Sequence, residues 1–388
     1  MVGSPAGRDS GEMVTAVQPR THTTASALTT VRLPSLRHFG PQWYATVMGT
    51  AIIATAGAGL PVVVPGLRTA CTAVWALSAA MLVVVLTARA AHWVGHRDQA
   101  RAHLVDPAIA PFYGCAAMAL LAVGAGTLTV GQDVIGQRAA VATAAGLFGA
   151  GTVVGLAAAV VVPYLMVVRR RVGPATASPV WLLPVVPPMV SASLGPLLVP
   201  HLPAGQWREA LLLASYAMFG ISLLATLIIL PVVFSRLIHQ GALPLALTPS
   251  LFLVLGPLGQ STTAVSKLAD AAPGAIDAQY AQGLAAFAVI YGVPVLGFAL
   301  LWLVLATAMV VRALRRGMPF TMSWWAFTFP VGTCVTGAEG LAHHTGLVAL
   351  EWLAVGLYVL LVTAWAVTGF RMLRGLLGGA LLAAPRQT

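Results

Sequence analysis

Charge is what this 388-residue sequence has least of: only 8% of its residues are Asp, Glu, Lys or Arg, against roughly 25% in a soluble domain. Lysine occurs once, at Lys267. A soluble core of this length needs a charged shell, and too few charges are present to build one, so a soluble fold is excluded. Cysteine is also scarce. Cys71, Cys115 and Cys334 all lie in apolar runs, no pair has metal-ligand spacing, and the count is odd. They read as small buried hydrophobes. Residues 1–38 lack any apolar run, which excludes a signal-peptide core there. With Ser, Thr, Gly, Pro and four arginines, they read as a disordered cytoplasmic tail.

What the sequence does have is apolar length. Hydrophobic residues make up 59% of the chain, gathered in ten segments near 41–60, 69–92, 112–131, 138–168, 179–200, 207–235, 249–267, 280–311, 320–341 and 348–370. Most are as long as the roughly 20 residues a helix needs to cross a bilayer, and none alternates like the ~10-residue strands of a membrane barrel. The expectation is an all-α integral membrane protein with a transmembrane domain at 39–375 and a short C-terminal tail at 376–388. No repeat of sequence stands out.

The formal net charge of +11 does not point to nucleic acid, because the arginines stand in short clusters between the apolar runs. Starting with the N-terminus inside, seventeen Lys and Arg fall on the cytoplasmic side and four, Arg68, Arg138, Arg208 and Lys267, on the other. That bias follows the positive-inside rule. It predicts an even number of helices, both termini in the cytoplasm and an inner or plasma membrane location.

Proline marks several segments. Pro184, Pro187 and Pro188 are in the fifth, Pro257 in the seventh, Pro294 in the eighth and Pro330 in the ninth. In lipid the carbonyl that proline frees needs a protein or water neighbour, so kinked helices are expected inside. Four segments also carry a face of small or hydroxyl residues at helical spacing. These are Thr46, Thr50, Ile53 and Gly57; Pro184, Pro188, Ser191 and Gly195; Gly256, Gln260, Thr263 and Lys267; and Phe329, Thr333, Thr336 and Gly340. Such faces either line a path or mediate close helix packing, and both readings stand.

Glu339, His343, His344 and Lys267 fall near helix ends. No charge lies securely at a helix midpoint, where an ion-coupled carrier usually places a carboxylate, which favours a passive path. Trp43, Trp324 and Trp325 fit aromatic belts at the membrane surface. Two other function classes remain. One is an integral membrane enzyme using Glu339, His343 and His344, a weak constellation that could also bind a metal. The other is an assembly or sensor subunit with no flux.

The stretches GPQWYATVMGTAII (40–53), WLLPVVPPMVSASLG (181–195), LGPLGQS (255–261), YGVPVLGFALLW (291–302) and WWAFTFPVGT (324–333) resemble the tellurite-resistance/dicarboxylate transporter family. Its relatives include bacterial tellurite-resistance proteins, fungal malate permeases, sulfite efflux pumps and plant slow-type anion channels. The resemblance covers almost all of 40–375 and leans to the malate-permease and sulfite-pump branch. It implies ten helices as five hairpins around a quasi-fivefold central pore, with the odd-numbered helices lining it, in a homotrimer. It implies a pore gate at Phe329, or failing that Phe327, and a pore lining drawn from Thr46, Thr50, Pro184, Pro188, Ser191, Gly256, Gln260, Thr263, Thr333 and Thr336. The function it implies is passage of a small anion across the bilayer, with C4-dicarboxylates such as malate expected first and sulfite or another inorganic anion second. No enzyme activity, cofactor, metal or nucleic-acid partner is expected.

Overall fold

The longest apolar runs fold as long single helices, and the shorter runs fold as short helices led in by 3-10 turns. The computed structural model describes residues 36–169, 176–378 and 381. Most of the expected tails at 1–38 and 376–388, and Arg170 and Arg171, lie outside them. The described residues form α1 (Tyr44–Gly59), α2 (Leu67–Gly95), α3 (Arg97–Val105), α4 (Tyr113–Gly126), α5 (Gln132–Ile135), α6 (Gln137–Arg169), α7 (Pro187–Leu198), α8 (Gln206–Gln240), α9 (Leu255–Ala271), α10 (Ala278–Arg315), α11 (Phe329–Thr345) and α12 (Val348–Leu377). A π-helical turn, Thr127–Gly131, joins α4 to α5. Among the described residues there is no β-strand, only an isolated bridge between Pro273 and Ile276.

Six helical runs are long and apolar enough to cross a membrane: Leu67–Gly95, Ala110–Ile135, Gln137–Val168, Gln206–Gln240, Ala278–Arg315 and Val348–Leu377. In contrast, α1, α7, α9 and α11 have 16, 12, 17 and 17 residues. At 1.5 Å per residue they reach only ~18–26 Å, short of the ~30 Å hydrocarbon layer. Each is extended by a 3-10 segment before it, Pro41–Trp43, Pro179–Leu182, Leu245–Val254 and Met322–Phe327.

The prolines lie differently from expectation. Pro187, Pro257 and Pro330 sit in the first turn of α7, α9 and α11, where a missing N–H costs nothing because no helical carbonyl awaits it. Pro163, Pro231 and Pro294 lie within the bodies of the long, peripheral α6, α8 and α10. So Pro257 and Pro330 stand in the opening turns of α9 and α11, just after their 3-10 segments.

Burial separates the helices into two sets. Most residues of α1, α4, α7, α9 and α11 are buried, whereas only 22–28% of the most apolar window of α2, α6, α8, α10 and α12 is. The open faces of the long helices carry Val83, Leu224, Ile290 and Val359, each at least 60% exposed. An apolar outer surface of this kind is solvated by lipid, not water.

Packing orders the buried set. α1 packs on α4, α4 on α7, α7 on α9, α9 on α11, and α11 on α1, so the sequence of neighbours closes on itself. Each buried helix also packs on the long helix that follows it: α1 on α2, α4 on α6, α7 on α8, α9 on α10 and α11 on α12. Every one of these five hairpins turns at a glycine with positive φ, Gly66, Gly136, Gly205, Gly274 and Gly346. Their intervals of 70, 69, 69 and 72 residues reveal a structural repeat.

Where the tail meets the helices, Arg89 is 4% exposed and donates to the Phe39 carbonyl at 2.6 Å and the Tyr113 hydroxyl at 3.1 Å. These bonds pin residues before α1 to α2 and α4. Trp43, Trp324 and Trp325 are all buried, unlike the expected belt. The Trp324 indole donates to Pro319 O, and the Arg371 guanidinium lies 4.5 Å over its ring. The tryptophans at the periphery are Trp207 and Trp352, 70% and 65% exposed.

Candidate functional site

The five buried helices enclose a cavity of about 400 Å³. α1 lines it with Ile52, Thr55, Ala58 and Gly59, and α4 with Leu121, Ala122 and Ala125. Val190, Ser193, Leu194 and Leu197 of α7 and Gln260, Thr263, Lys267 and Asp270 of α9 face it next. Phe329, Thr336, Glu339, Gly340 and His343 of α11, with Arg68 of α2 and Thr129 of the π-helical turn, complete the wall. Most of these residues belong to the middle or C-terminal part of their helices.

Phe329 is shared between this cavity and a second, far smaller void of about 10 Å³. Met48, Met118, Val186 and Gly256 line the small void beside Phe329. They lie one helical turn before Ile52, Leu121, Val190 and Gln260 of the large cavity. A single water needs roughly 10–15 Å³, so the space beyond the ring admits about one water at most. The cavity wall at this level recurs along the chain: Ile52, Leu121, Val190, Gln260 and Phe329 follow one another at intervals of 69, 69, 70 and 69 residues. Four of the five positions hold aliphatic or amide side chains, and only α11 supplies a ring, which is 2% exposed.

The polar groups of the wall are mostly satisfied. Thr263 Oγ1 lies 2.7 Å from Thr336 Oγ1 and 3.1 Å from the Gly259 carbonyl. The Gln260 amide donates to the Ser193 hydroxyl, which donates to Val190 O at 2.9 Å. Both cations at the wide end are engaged. Arg68 is paired with Asp133 at 2.6 Å, and Lys267 with Asp270 at 3.2 Å. Glu339 is the exception, because its Oε1 is buried with no hydrogen-bond partner. Gly59 makes room for this carboxylate; a Cβ there would collide with it.

The sequence-selected faces divide. Gln260, Thr263, Thr336 and Phe329 line the large cavity, and Gly256 lines the void beneath it. Thr333 is buried at the α9–α11 contact, its hydroxyl donating to Pro330 O at 2.7 Å. Gly259 allows that close approach, since a Cβ would strike the backbone of Thr333 and Cys334. Thr46 donates to Trp43 O and Thr50 to Thr46 O, both at 2.8 Å. Thr50 also accepts from the Trp365 indole of α12 at 3.1 Å. Ser191 accepts from Thr152 of α6 at 2.9 Å. Pro184 and Pro188 are buried, Pro184 against Gly114. In α1 and α7, then, the small and hydroxyl face packs on neighbouring helices, and a more apolar face borders the cavity. Phe327 borders neither space; it packs edge-on against Phe252 and Trp324, with centroids 4.9 and 5.6 Å away.

Sequence reasoning missed Ile52, Leu121 and Val190, since aliphatic residues in an apolar helix carry no mark of their own. The 69-residue recurrence is the signal that finds them. The His343–His344 pair meets Asp270, not Glu339, with one polar atom of each within 4.8 Å of the other two.

Comparison with known proteins fits this architecture. The family model described as voltage-dependent anion channel matches residues 38–373. The chain belongs to this family. An uncharacterised transporter of Methanocaldococcus jannaschii is 27% identical over 339 residues, 87% of this chain and 93% of that one. A sulfite efflux pump of Trichophyton rubrum is 27% identical over 321 residues, 80% of this chain and 83% of the pump. A sulfite efflux pump of Arthroderma otae is 26% identical over 342 residues, 85% and 89% of the two chains. The family is one of membrane-embedded anion transport, which agrees with the motif resemblance and argues against the membrane-enzyme alternative.

Proposed function

We propose that the ten helices of the five hairpins all cross the bilayer and that the space among α1, α4, α7, α9 and α11 is the path of a small anion. The observation that carries this reading is the position of Phe329, which separates the 400 Å³ cavity from a void of about 10 Å³. A ring at such a constriction blocks ions sterically and by excluding water. The closed order of neighbours supports a central path, and the arginine alternation supports cytoplasmic termini with the wide end of the cavity outside. A homotrimer in the plasma membrane, each subunit with its own path, remains part of the proposal.

The favoured substrate is a compact inorganic anion such as sulfite. Three relatives are named sulfite efflux pumps. The wall agrees with a compact anion, because Arg68 and Lys267 are each engaged by an aspartate. The Ser193, Thr263 and Thr336 hydroxyls already bond within the protein, so an anion would meet the second N–H of the Gln260 amide and hydroxyls that must rotate to donate to it. A C4-dicarboxylate with two ends to neutralise is served less well, so malate is the second expectation. Purified protein in liposomes, offered sulfite, chloride, nitrate and malate, tests both the class and the order. Phe329→Ala raising sulfite flux above malate flux supports the reading, and no anion flux from either form would overturn it.

A further inference from the structure

At the wide end of the cavity the last turns of α9 and α11 bring together three side chains that the proposed transport role leaves unused. Asp270 divides its carboxylate between two neighbours. Oδ2 accepts from Lys267 Nζ at 3.2 Å, while Oδ1 lies 3.3 Å from His344 Nε2 and 3.9 Å from His343 Nδ1. One ligand atom from each of Asp270, His343 and His344 falls within 4.8 Å of the other two. In a tetrahedral zinc site with bonds near 2.0–2.1 Å, donor atoms stand about 3.3 Å apart. The three are close to that spacing, and His343, 77% exposed in its side chain, is free to swing the remaining distance.

The donor set is specific. Two imidazoles and one carboxylate suit Zn²⁺, Cu²⁺, Ni²⁺ or Co²⁺, whereas Ca²⁺ and Mg²⁺ prefer all-oxygen shells. Neighbouring histidines on a helix point about 100° apart, so they approach one ion from two directions while Asp270 closes from the facing helix. Lys267 does not compete for the same oxygen, since it holds Oδ2 and leaves Oδ1 to the histidines. An ion there would take the Nε2 lone pair of His344 in place of the 3.4 Å contact with Ser266 O. Asp270 and His343 both border the cavity.

We propose that Asp270, His343 and His344 form a binding site for a divalent transition-metal ion at the rim of the cavity, with a remaining coordination position open to a small anion. Three protein ligands and one open position are the arrangement in which zinc takes up an external ligand. The ion would set a positive charge at the cavity mouth that Arg68 and Lys267, both engaged by aspartates, do not supply. The part concerning the anion rests on the proposed transport function. Metal binding itself does not.

The test uses the full chain, freed of any polyhistidine tag and purified in detergent, titrated with Zn²⁺ by calorimetry and with Co²⁺ by visible absorption. The expected result is one saturable site per chain. Changing even an outer-shell partner of a metal site costs 10–100-fold in affinity, so His343→Ala, His344→Ala and Asp270→Asn should each weaken binding by at least about tenfold. Glu339→Gln should leave it unchanged. All variants should elute as the wild type does. Wild-type binding no tighter than that of the His343→Ala/His344→Ala double variant would overturn the proposal and leave an ordinary Lys–Asp–His ion-pair cluster. A second measurement reads anion flux in liposomes with and without Zn²⁺ on the wide side. A flux that responds to Zn²⁺ in the wild type but not in the double variant supports the anion position. A normal titration with flux that ignores Zn²⁺ overturns that position alone, and a normal titration with no flux at all overturns the transport reading.

Discussion

Replacing Phe329 by alanine removes the ring from between the two cavities and leaves Pro330 to start α11 as before. In a soluble core, truncating a fully packed phenylalanine costs roughly 3–5 kcal/mol. Phe329 has one face on the cavity and so loses fewer contacts; about 2–3 kcal/mol is expected. The folded protein should survive that cost and still purify intact. The gain is on the path. The void beneath the ring would join the 400 Å³ cavity, leaving flexible Met48 and Met118 as the remaining obstruction. A rise in anion flux of at least about tenfold is expected, equal to a barrier lowered by about 1.4 kcal/mol, with Phe329→Leu in between. The assay is sulfite efflux from proteoliposomes at matched protein content, alongside planar-bilayer recording. Phe327→Ala is the control, because its ring packs on Phe252 and Trp324; it should lower thermal stability and leave flux alone. Unchanged flux in intact Phe329→Ala protein, or an open path in Phe327→Ala, would refute the reasoning.

Three other expectations follow from the same geometry. In a background without Cys71, Cys115 and Cys334, Gln260→Cys and Thr263→Cys should react with a small water-soluble thiol reagent, while Thr50→Cys and Ser191→Cys, packed on Trp365 and Thr152, should not; equal labelling of all four would show that the cavity is not the wet space. Gly59→Ala should place a methyl against the Glu339 carboxylate and reduce the folded yield, and Gly59→Ala/Glu339→Ala should recover it. On α3, outside the long apolar runs, burial followed by the nearby Arg89 charge pushes His103 down to about 4. Its folded value lies below its usual 6.5, so the unfolded chain binds the extra proton. Stability should therefore be full above pH ~6.5 and fall progressively as pH drops toward 4, a slope that His103→Gln should flatten in a thermal-melt series.

The fold class was legible from charge depletion and apolar length alone, because lipid imposes helices on any chain so poor in charge. Helix pairing was legible only through the motif resemblance, since the arginines predict sidedness and an even count of helices. The repeat was not, since what recurs is register and not identity: Ile52, Leu121, Val190, Gln260 and Phe329 share a level but no chemistry. Gly66, Gly136, Gly205, Gly274 and Gly346 mark the period, yet they stand among 39 glycines in the sequence, and Gly241 and Gly317 share their positive φ without belonging to it. Stripe reasoning pointed to the faces of α9 and α11 that border the cavity. It pointed to the other side of α1 and α7, where hydroxyls and small residues serve close packing against neighbouring helices. Proline marked the inner α7, α9 and α11 but not bends: Pro187, Pro257 and Pro330 fall in first turns, where the missing N–H costs little, while Pro196 lies within the body of α7.

The near-equal spacing of the five wall positions has a consequence for control. A barrier built from five identical side chains would need concerted movement of five helices to yield. Here four places are filled by modest side chains and one by a ring, so the obstruction is lopsided and hinged on a single helix. One rotamer change at one position is then enough to alter the bore, at the cost of an unfavourable side-chain torsion of order 1 kcal/mol. Under the proposed transport role, Gln260 and Thr263 of the adjoining α9 and Thr336 two turns further along α11 would tune selectivity without replacing the ring. If the space is the anion path proposed above, gating and discrimination would be separable traits of one pseudo-symmetric wall.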